Sequence, residues 1–381
     1  MFSLRHDECL FSILPQLFSM ENIDSHRRQI LAFLYSRFMR FVISFELDKD
    51  YILPTLVNDD NLFFPQSSHL THIRITLRYF NDCILLLNQL GAQLHSLSVS
   101  VTLINIRQYR TISRMTSTSC PYLKELTITN YRNISAVGVK KFVPHHFIDG
   151  YDLQRDIISY MPHLRQFHFH IRSIVAYASH IDIDTIRQSF VHQPQSVDCV
   201  LDYFNNRCGQ YQIFSLPFIG TRLDFISNRF PLFDENKNTF SNVTTILLFD
   251  DVNPFEYNFF RLVSRALSYL KSLEVFNRLE QEEKTMITTN LIEFPHLATL
   301  ILDDIHMDYA EQFLCRTHLP CLVELLIHYE QLSTIIVQHP EEARNNCSKI
   351  EFLYFVDVST DPTDSLLHFF PNLYCEISKS T

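Results

Sequence analysis

A short apolar phrase recurs along this chain and constrains its fold more than any other feature. The stretch PHLATLIL at residues 295–302 has the form apolar-x-x-apolar-x-apolar, and the same form returns in SYLKSLEV (268–275), PCLVELLI (320–327) and SKIEFLYF (348–355). The end of the phrase alternates as a β-strand does, with successive side chains on opposite faces. Each copy therefore predicts one strand with a fixed set of core-facing residues.

The copies return at near-regular spacing, and helical patterns lie between them. Their first apolar residues are Leu70, Leu94, Leu123, Leu164, Val243, Leu270, Leu297, Leu322, Ile350 and a weaker Leu373, and the last five steps are 27, 27, 25, 28 and 23 residues. Between copies, segments such as YFNDCILLLNQLG at 79–91 show an apolar helical face that ends at a glycine. Each repeat unit is predicted to contain a strand, a loop, a helix and a second loop. A single unit can bury its apolar face only by stacking on its neighbours.

This combination of phrase, spacing and intervening helix resembles the leucine-rich repeat family over roughly residues 66–381. The resemblance implies an α/β fold: an irregular solenoid with parallel strands on its concave side and helices on its convex side. One departure concerns the family's Asn or Cys after the phrase, which is mostly missing here, with Asn130 and Asn277 falling one place early. We therefore do not expect a regular asparagine ladder in the turns.

A long step interrupts the repeat, since 79 residues separate Leu164 from Val243. We place an irregular insertion at about residues 172–240, within an array that spans residues 46–381. Inside the insertion, SVDCVLDYF and YQIFSLPFI flank the turn-forming NNRCG, a pattern that predicts a β-hairpin.

Residues 1–45 are predicted to form a separate small helical segment. LRHDECLFSILPQL at 4–17 and YSRFMRFV at 35–42 resemble the opening and the closing helix of an F-box domain. Two features depart from that pattern: no proline follows Leu4, and Pro15 falls inside the expected first helix.

Two interpretations of this segment remain open. The F-box resemblance implies that Leu10 and Leu14 contact the adaptor subunit of a cullin-type ubiquitin ligase. The same apolar spacing is that of any amphipathic helix, including one that caps the end of a solenoid.

Charge and cysteine usage narrow the class of partner and the compartment. The net charge is −10 without a basic block, which argues against nucleic acid or an anionic membrane surface as the main partner. None of the nine cysteines forms a C-x-x-C pair, and no secretory signal opens the chain, so we expect reduced thiols in the cytoplasm or nucleus. The most apolar segment, residues 30–45, carries Arg37 and Arg40 and is too charged to span a bilayer.

No catalytic, cofactor or metal motif is apparent. The five glycines form none of the phosphate-binding loops or the hydrolase elbow, and no H-E-x-x-H occurs. His168 and His170 share one strand face, but no carboxylate or thiol nearby completes a ligand set, so we predict a solvated polar face. We accordingly expect a protein that is not an enzyme.

The outward positions of the strand phrases change character along the chain. They are polar in the N-terminal copies, as in Ser96, Ser98 and Ser100, and apolar in the C-terminal copies. Five consecutive copies contribute Phe249, Phe276, Ile301, Leu326 and Tyr354. On adjacent parallel strands these side chains would form a row about 20 Å long, a length suited to a bound peptide or helix.

Two explanations of the apolar row remain, because strands buried on both faces look the same in sequence. The row binds a protein partner, or the chain covers it, for example with its own insertion. The leading functional hypothesis is non-catalytic protein recognition, as the substrate receptor of a cullin-type ligase if the N-terminal segment is an F-box. The alternative is a stand-alone scaffold or interaction protein.

Overall fold

A computed structural model gives a mixed α/β fold with parallel-strand sheets. It describes residues 3–6, 9–11, 42–46, 52–53, 57–58, 61–62, 69–103, 120–130, 149–176, 182–191, 195–205, 208–230, 238–282, 291–356, 369–370 and 372–373. The chain divides into two compact units: unit 1 is Met1–Tyr203 with Arg207–Leu216, and unit 2 is Phe204–Asn206 with Pro217–Thr381.

Unit 1 contains a ten-stranded mixed sheet, here called sheet 1. Its strands are β1 (Ser3–His6), β2 (Cys9–Phe11), β3 (Ser44–Glu46), β4 (Ile52–Leu53), β7 (His72–Tyr79), β8 (Ser96–Leu103), β9 (Glu125–Asn130), β10 (Gln166–Ala176), β11 (Val197–Tyr203) and β12 (Cys208–Ser215), while β5 (Val57–Asn58) and β6 (Asn61–Leu62) pair separately. The order is β11-β12-β10-β9-β8-β7-β3-β1-β2, with β4 also on β7. Pairing is parallel from β3 through β10 and antiparallel at both ends. The helices of this unit are α1 (Phe80–Leu90), α2 (Gly150–Asp156) and α3 (Ile183–Gln188).

Unit 2 contains an all-parallel sheet of six strands, here called sheet 2. In spatial order the strands are β13 (Arg222–Ile226), β14 (Thr245–Phe249), β15 (Ser272–Asn277), β17 (Thr299–Ile305), β19 (Glu324–Ile327) and β20 (Phe352–Phe355). Two short strands, β16 (Ile292–Glu293) and β18 (Thr317–His318), pair with each other in parallel. The helices are α4 (Tyr257–Ala266), α5 (Met307–Cys315), α6 (Tyr329–Gln338) and α7 (Pro340–Cys347).

The apolar phrase fixes the register of sheet 2. Ile246, Leu273, Leu300, Leu325 and Leu353 are successive register partners, and they occupy the same phrase position on five neighbouring strands. The first apolar residues of the phrases are buried as well, at 2% exposure or less from Val243 to Ile350. The predicted core-facing set is therefore confirmed from Ile246 to Leu325, which are fully buried, whereas Leu353 on the edge strand β20 is half-buried. Strand alternation leaves each phrase one way to place its apolar side chains in the core.

Aromatic side chains fill the space between sheet 2 and its helices. The Phe260 ring of α4 lies 4.8 Å from the Phe313 ring of α5, and both rings are fully buried. The Tyr309 hydroxyl of α5 accepts a hydrogen bond from the Phe255 amide at 3.0 Å. Large aromatic rings therefore bridge neighbouring helices that smaller side chains would leave apart.

The insertion is shorter than the sequence predicts. β10 continues to Ala176, the predicted hairpin is confirmed as antiparallel β11 and β12, and β13 is an additional parallel strand beside β14. The repeat pattern missed β13 because Gly220 occupies the first apolar position of its phrase, opposite Val243 in the register. A Cβ on Gly220 would lie 2.6 Å from the Phe218 ring, so that ring fills the space instead.

The N-terminal prediction needs correction at Leu10. Leu10 lies in β2, opposite Arg5 of β1, and not in a helix. β1 also pairs antiparallel with β3, so these strands extend sheet 1. A run of three apolar residues is compatible with the period of a helix and with that of a strand. Here pairing with neighbouring strands makes it a strand. Leu14 lies outside the described residues.

Polar side chains at the strand ends of unit 2 form a network between successive turns. The Asn277 side-chain amide donates a hydrogen bond to the Asn253 backbone carbonyl at 2.9 Å, and the Asn277 side-chain oxygen accepts one from the Leu279 backbone amide at 2.8 Å. An Asp250 carboxylate oxygen accepts a hydrogen bond from the Asn228 backbone amide at 3.0 Å. The Asn228 side-chain amide donates a second bond to the Pro254 carbonyl in the following turn. These are separate bonds and not a regular asparagine ladder, although Asn277 at its early position still reaches the neighbouring backbone.

Candidate protein-binding face of sheet 2

The face of sheet 2 whose side chains alternate with the core residues is here called the outward face. Its middle row runs in register through β14, β15, β17, β19 and β20 as Leu247, Glu274, Ile301, Leu326 and Tyr354. The predicted five-residue row is therefore wrong in its geometry. Phe249 and Phe276 are register partners of each other and lie two residues further along their strands.

A β-bulge separates Phe276 from the apolar side chains of β17. The register between β15 and β17 shifts after the pair Val275–Leu302, and the next pair is Asn277–Ile305. β17 therefore has two residues, Asp303 and Asp304, where β15 has only Phe276. Asp304 has a φ of 53°, in the left-handed region that such bulges often use. The alignment of the sequence phrases placed Phe249 and Phe276 in one row with residues two positions earlier on their strands. It also could not show the bulge in β17.

The chain itself covers the Phe249 end of the outward face. The Phe204 ring packs edge-on against Phe249 at 5.2 Å, and the Phe225 ring lies 5.7 Å from it. Backbone bonding holds the covering segment, since the Asn205 amide donates to an Asp251 carboxylate oxygen at 3.1 Å. Of the two explanations left open by the sequence, these contacts favour cover by the chain itself at Phe249, which is half-buried.

Ion pairs occupy the next part of the face. The Arg222 guanidinium of β13 contacts Asp224 at 2.7 Å and reaches Glu274 of β15 at 3.4 Å. β14 lies between those strands, and its outward Leu247 is only 1% exposed. Asp224 and Glu274 are themselves buried. Leu247 is therefore too buried to contact a partner, and the carboxylates of Asp224 and Glu274 both lie close to the Arg222 guanidinium.

The remaining apolar side chains form a patch on three neighbouring strands, which we call the tyrosine patch: Ile301, Leu326, Phe352 and Tyr354. Ile301, Leu326 and Tyr354 are direct register partners and half-buried, and Phe352 is 38% exposed. With strands about 4.8 Å apart, the row from β17 to β20 is about 10 Å long. Tyr354 adds a hydroxyl at the rim of an otherwise apolar surface, a combination common at protein interfaces.

Acidic side chains border the tyrosine patch. Glu324 is the register partner of both Thr299 and Phe352, and its carboxylate accepts the Thr299 hydroxyl at 2.9 Å. Glu274 lies directly beside Ile301 in the register.

The outward face of sheet 1 is polar, and part of it is buried. His170 is only 3% exposed, and its Nε2 lies 3.0 Å from the Gln212 side-chain oxygen. The predicted solvated face is therefore wrong at His170. Burial lowers the pKa of the neighbouring His168 below its ordinary value, and the nearby carboxylate of Glu125 opposes that shift. Among the described residues, no cluster of three or more His, Cys, Asp or Glu side chains could hold a metal ion.

The buried cysteines of both units are poor nucleophiles. Burial raises the pKa of Cys83, Cys120 and Cys347, and of the half-buried Cys315, to about 12. The thiolate is the reactive form of cysteine, so these side chains stay protonated near neutral pH. They act as small apolar side chains in the core.

Sequence reasoning identified the members of the tyrosine patch as outward apolar residues, but it missed the residues that bound the patch. Arg222 belongs to an unrecognised strand, Glu274 interrupts the apolar row, and Phe204 lies far from Phe249 in the chain. The one available signal was the acidic Glu274 inside the phrase SYLKSLEV.

Comparison with known proteins assigns no family to the chain. No protein-family model matches it. No curated protein is significantly similar to it. In the described part of the chain, every helix is too short or too polar to cross a membrane.

Proposed function

We propose that this chain is a non-catalytic recognition protein of the irregular leucine-rich repeat type, and that the tyrosine patch binds a protein partner. The observation that carries the proposal is the side-by-side placement of Ile301, Leu326 and Tyr354 on three consecutive strands, opposite the core face. The in-register parallel strands of sheet 2 and the bonds between successive turns support the repeat architecture. In this architecture the strand faces form the concave side of a solenoid and the helices form its convex side.

The chemistry of the patch suits binding. Apolar side chains on a rigid sheet lose little conformational entropy when a partner covers them, so less of the free energy gained by burying apolar surface is offset on binding. Tyrosine is a frequent energetic anchor because it combines a large apolar ring with a hydroxyl that finds a partner at the rim. Leu326, in the middle of the row, is the expected centre of the contact.

Site-specific photocross-linking tests this proposal directly. A photoreactive amino acid is placed at position 326 or 354, and a matched control is placed at Val337, which is 80% exposed on α6. We expect one partner protein to cross-link from both patch positions and not from position 337. The purified partner should then lose binding to Tyr354→Asp while the melting temperature of the variant is unchanged. Equal cross-linking from all three positions would reject the patch.

The ligase hypothesis is a second proposal and rests on the resemblance of residues 4–17 and 35–42 to an F-box. In this proposal the chain is the substrate receptor of a cullin-type ubiquitin ligase, with Leu10 and Leu14 contacting the adaptor. The strand conformation at Leu10 differs from the helix of the F-box pattern, so Leu14 is the better test position. The alternative is a stand-alone interaction protein.

Binding of the purified adaptor to the full-length chain separates these alternatives. If the ligase proposal is correct, micromolar adaptor binds, Leu14→Lys abolishes binding, and the neighbouring control Gln16→Lys retains it. Absence of binding at micromolar concentration would leave the stand-alone function. Neither result affects the proposal for the tyrosine patch, because the two surfaces are tested with different partners.

A further inference from the structure

Three basic side chains lie side by side at one end of sheet 1, and we call them the basic row: His95, Lys124 and Arg165. Each one directly precedes the first residue of its strand, β8, β9 or β10. In the sequence they stand 29 and 41 residues apart, at the same position of three successive phrases. The repeat therefore assembles a basic surface that no basic block in the sequence announces.

Backbone hydrogen bonds fix the spacing of the basic row. The Lys124 amide donates to the His95 carbonyl at 2.9 Å, and the Arg165 amide donates to the Lys124 carbonyl, also at 2.9 Å. The strands that follow are in parallel register. With strands about 4.8 Å apart, the row from His95 to Arg165 is about 10 Å long.

The two permanent cations of the row have no charge partner within the described part of the chain. Lys124 and Arg165 are both exposed, and neither forms an ion pair there. Among the residues that begin these three strands or directly precede them, the one acid is Glu125. Like charges on neighbouring strands disfavour the sheet, so an anion bound between Lys124 and Arg165 would relieve a repulsion as well as form new contacts.

The fold does not require basic side chains at this position. The equivalent residues of the phrases in sheet 2 are Thr244, Lys271, Ala298 and Val323, and their amides form the same backbone bonds between neighbouring strands. Small, apolar and charged side chains are thus all compatible with the turn. The basic chemistry in sheet 1 is therefore free to serve a contact with another molecule.

Aromatic rings flank the basic row and hold its first member in place. The Tyr122 ring lies edge-on to the His95 ring at 6.3 Å, and His95 lies edge-on to His72, also at 6.3 Å. The His72 Nδ1 is in turn 2.7 Å from the Thr71 hydroxyl. Tyr122 is 59% exposed, so it offers a partner a large ring and a hydroxyl beside the cations.

We infer that the basic row binds a short acidic segment of a protein partner, with Asp or Glu carboxylates on Lys124 and Arg165. The planar guanidinium of arginine matches a carboxylate through two parallel hydrogen bonds. A row only about 10 Å long suits a few acidic residues. A long polyanion such as nucleic acid would also meet a chain of net charge −10, which repels it.

This inference goes beyond the tyrosine patch and does not depend on it, because the basic row is a separate surface in unit 1. Two fluorescent peptides are the probes, each with about 8 residues, which at about 3.4 Å per residue exceed the length of the row. Serine alternates with glutamate in one peptide and with glutamine in the other. Fluorescence anisotropy measures their binding to the full-length chain at low and at high salt.

We expect the glutamate peptide to bind at least about tenfold more tightly than the glutamine peptide at low salt, and to lose most of that advantage at high salt. Lys124→Glu and Arg165→Glu should each weaken binding about tenfold or more. The matched control is Lys271→Glu, the same charge change at the same phrase position of sheet 2, which should leave binding unchanged. Leu326→Asp in the tyrosine patch should also leave it unchanged. Melting temperatures show that each variant is folded.

Three outcomes would overturn the inference: no binding of the glutamate peptide, equal affinity of the two peptides, or a loss in Lys271→Glu as large as in Lys124→Glu. A single-stranded oligonucleotide of similar length is a further probe. If it binds more tightly than the glutamate peptide and loses binding in the same two variants, the row recognises nucleic acid and the acidic segment is refuted. The cross-linking result for the tyrosine patch stands or falls separately.

Discussion

On the outward face of sheet 1, the row through β8, β9 and β10 reads Ser98, Thr127 and His168, whereas on sheet 2 the row through β17, β19 and β20 reads Ile301, Leu326 and Tyr354. Both rows alternate with buried core residues of the same phrase. The core positions must be apolar in either sheet because they pack against helices. The outward positions carry no such requirement, so their chemistry is a better guide to what each unit does.

Ion pairs show the same contrast. In sheet 1 the pair between Arg74 and Glu46, at 3.1 Å, is largely exposed, with 64% and 44% of the side chains accessible. In sheet 2 the Arg222 side chain is 26% exposed and its partner Asp224 only 4%. An exposed pair contributes little to stability, whereas a buried charge that loses its partner is costly. The two pairs therefore differ in what their loss would cost: the Arg74–Glu46 pair joins two strands at the surface, and the Arg222–Asp224 pair is partly buried within one strand.

The largest expected effect tests the distinction between core and outward positions. Leu300→Asp should lower the free energy of unfolding by more than about 3 kcal/mol, through lost burial and an unpaired buried charge. Thr299→Asp should cost about 1 kcal/mol, because it removes the bond to Glu324 and places two acids side by side. Urea denaturation measures both values, and equal losses would invalidate the register of sheet 2.

The turn network of unit 2 gives the next effect. Asn277→Ala should destabilise the protein by about 2 kcal/mol, because two half-buried backbone groups lose their hydrogen-bond partner. Asn258→Ala is the control: Asn258 is exposed on α4, where alanine favours the helix. A loss no greater than that of the control would show that Asn277 does not tie neighbouring turns together.

A third comparison uses the two arginines. Arg222→Leu should cost about 2 kcal/mol, since it leaves Asp224 and Glu274 buried without the guanidinium. Arg74→Leu, in the exposed pair of sheet 1, should cost less than about 1 kcal/mol. Thermal unfolding in low and high salt distinguishes them. If the two losses are similar, the described difference in burial has no energetic consequence.

The smallest effect concerns protons on sheet 1. Because burial lowers the pKa of His168 below 6.5, the unfolded chain binds that proton more readily than the folded chain does. His168 therefore disfavours folding progressively as the pH falls below 6.5, and it has no effect well above that pH.

Titration of His168 by NMR should give a midpoint below 6.5, and Glu125→Gln should move the midpoint further down by removing the opposing charge. A midpoint at or above 6.5 would indicate that the ring is hydrated. A midpoint that is unchanged in Glu125→Gln would mean that Glu125 is too far away to act.

Sequence reasoning succeeded where one physical requirement dominates. Leu300 and its register partners were assigned correctly to the core, and the β11–β12 hairpin was predicted from a turn between two strand patterns. It failed at β13, where Phe218 fills the position of a missing apolar residue, and at the β17 bulge. Both failures involve side chains or backbone that compensate locally for a departure from the repeat.

The sequence by itself determined which residues of the phrase face the core, because a period of two leaves each strand only two orientations and apolar burial selects one. It also determined that the C-terminal outward positions are apolar. Only the tertiary structure decided which of those side chains lie together. Phe204 packs on Phe249, Arg222 and Glu274 close the face over β14, and the bulge of β17 sets Asp303 and Asp304 opposite Phe276. Such contacts join residues far apart in the chain, whereas periodicity reports only on neighbours along it.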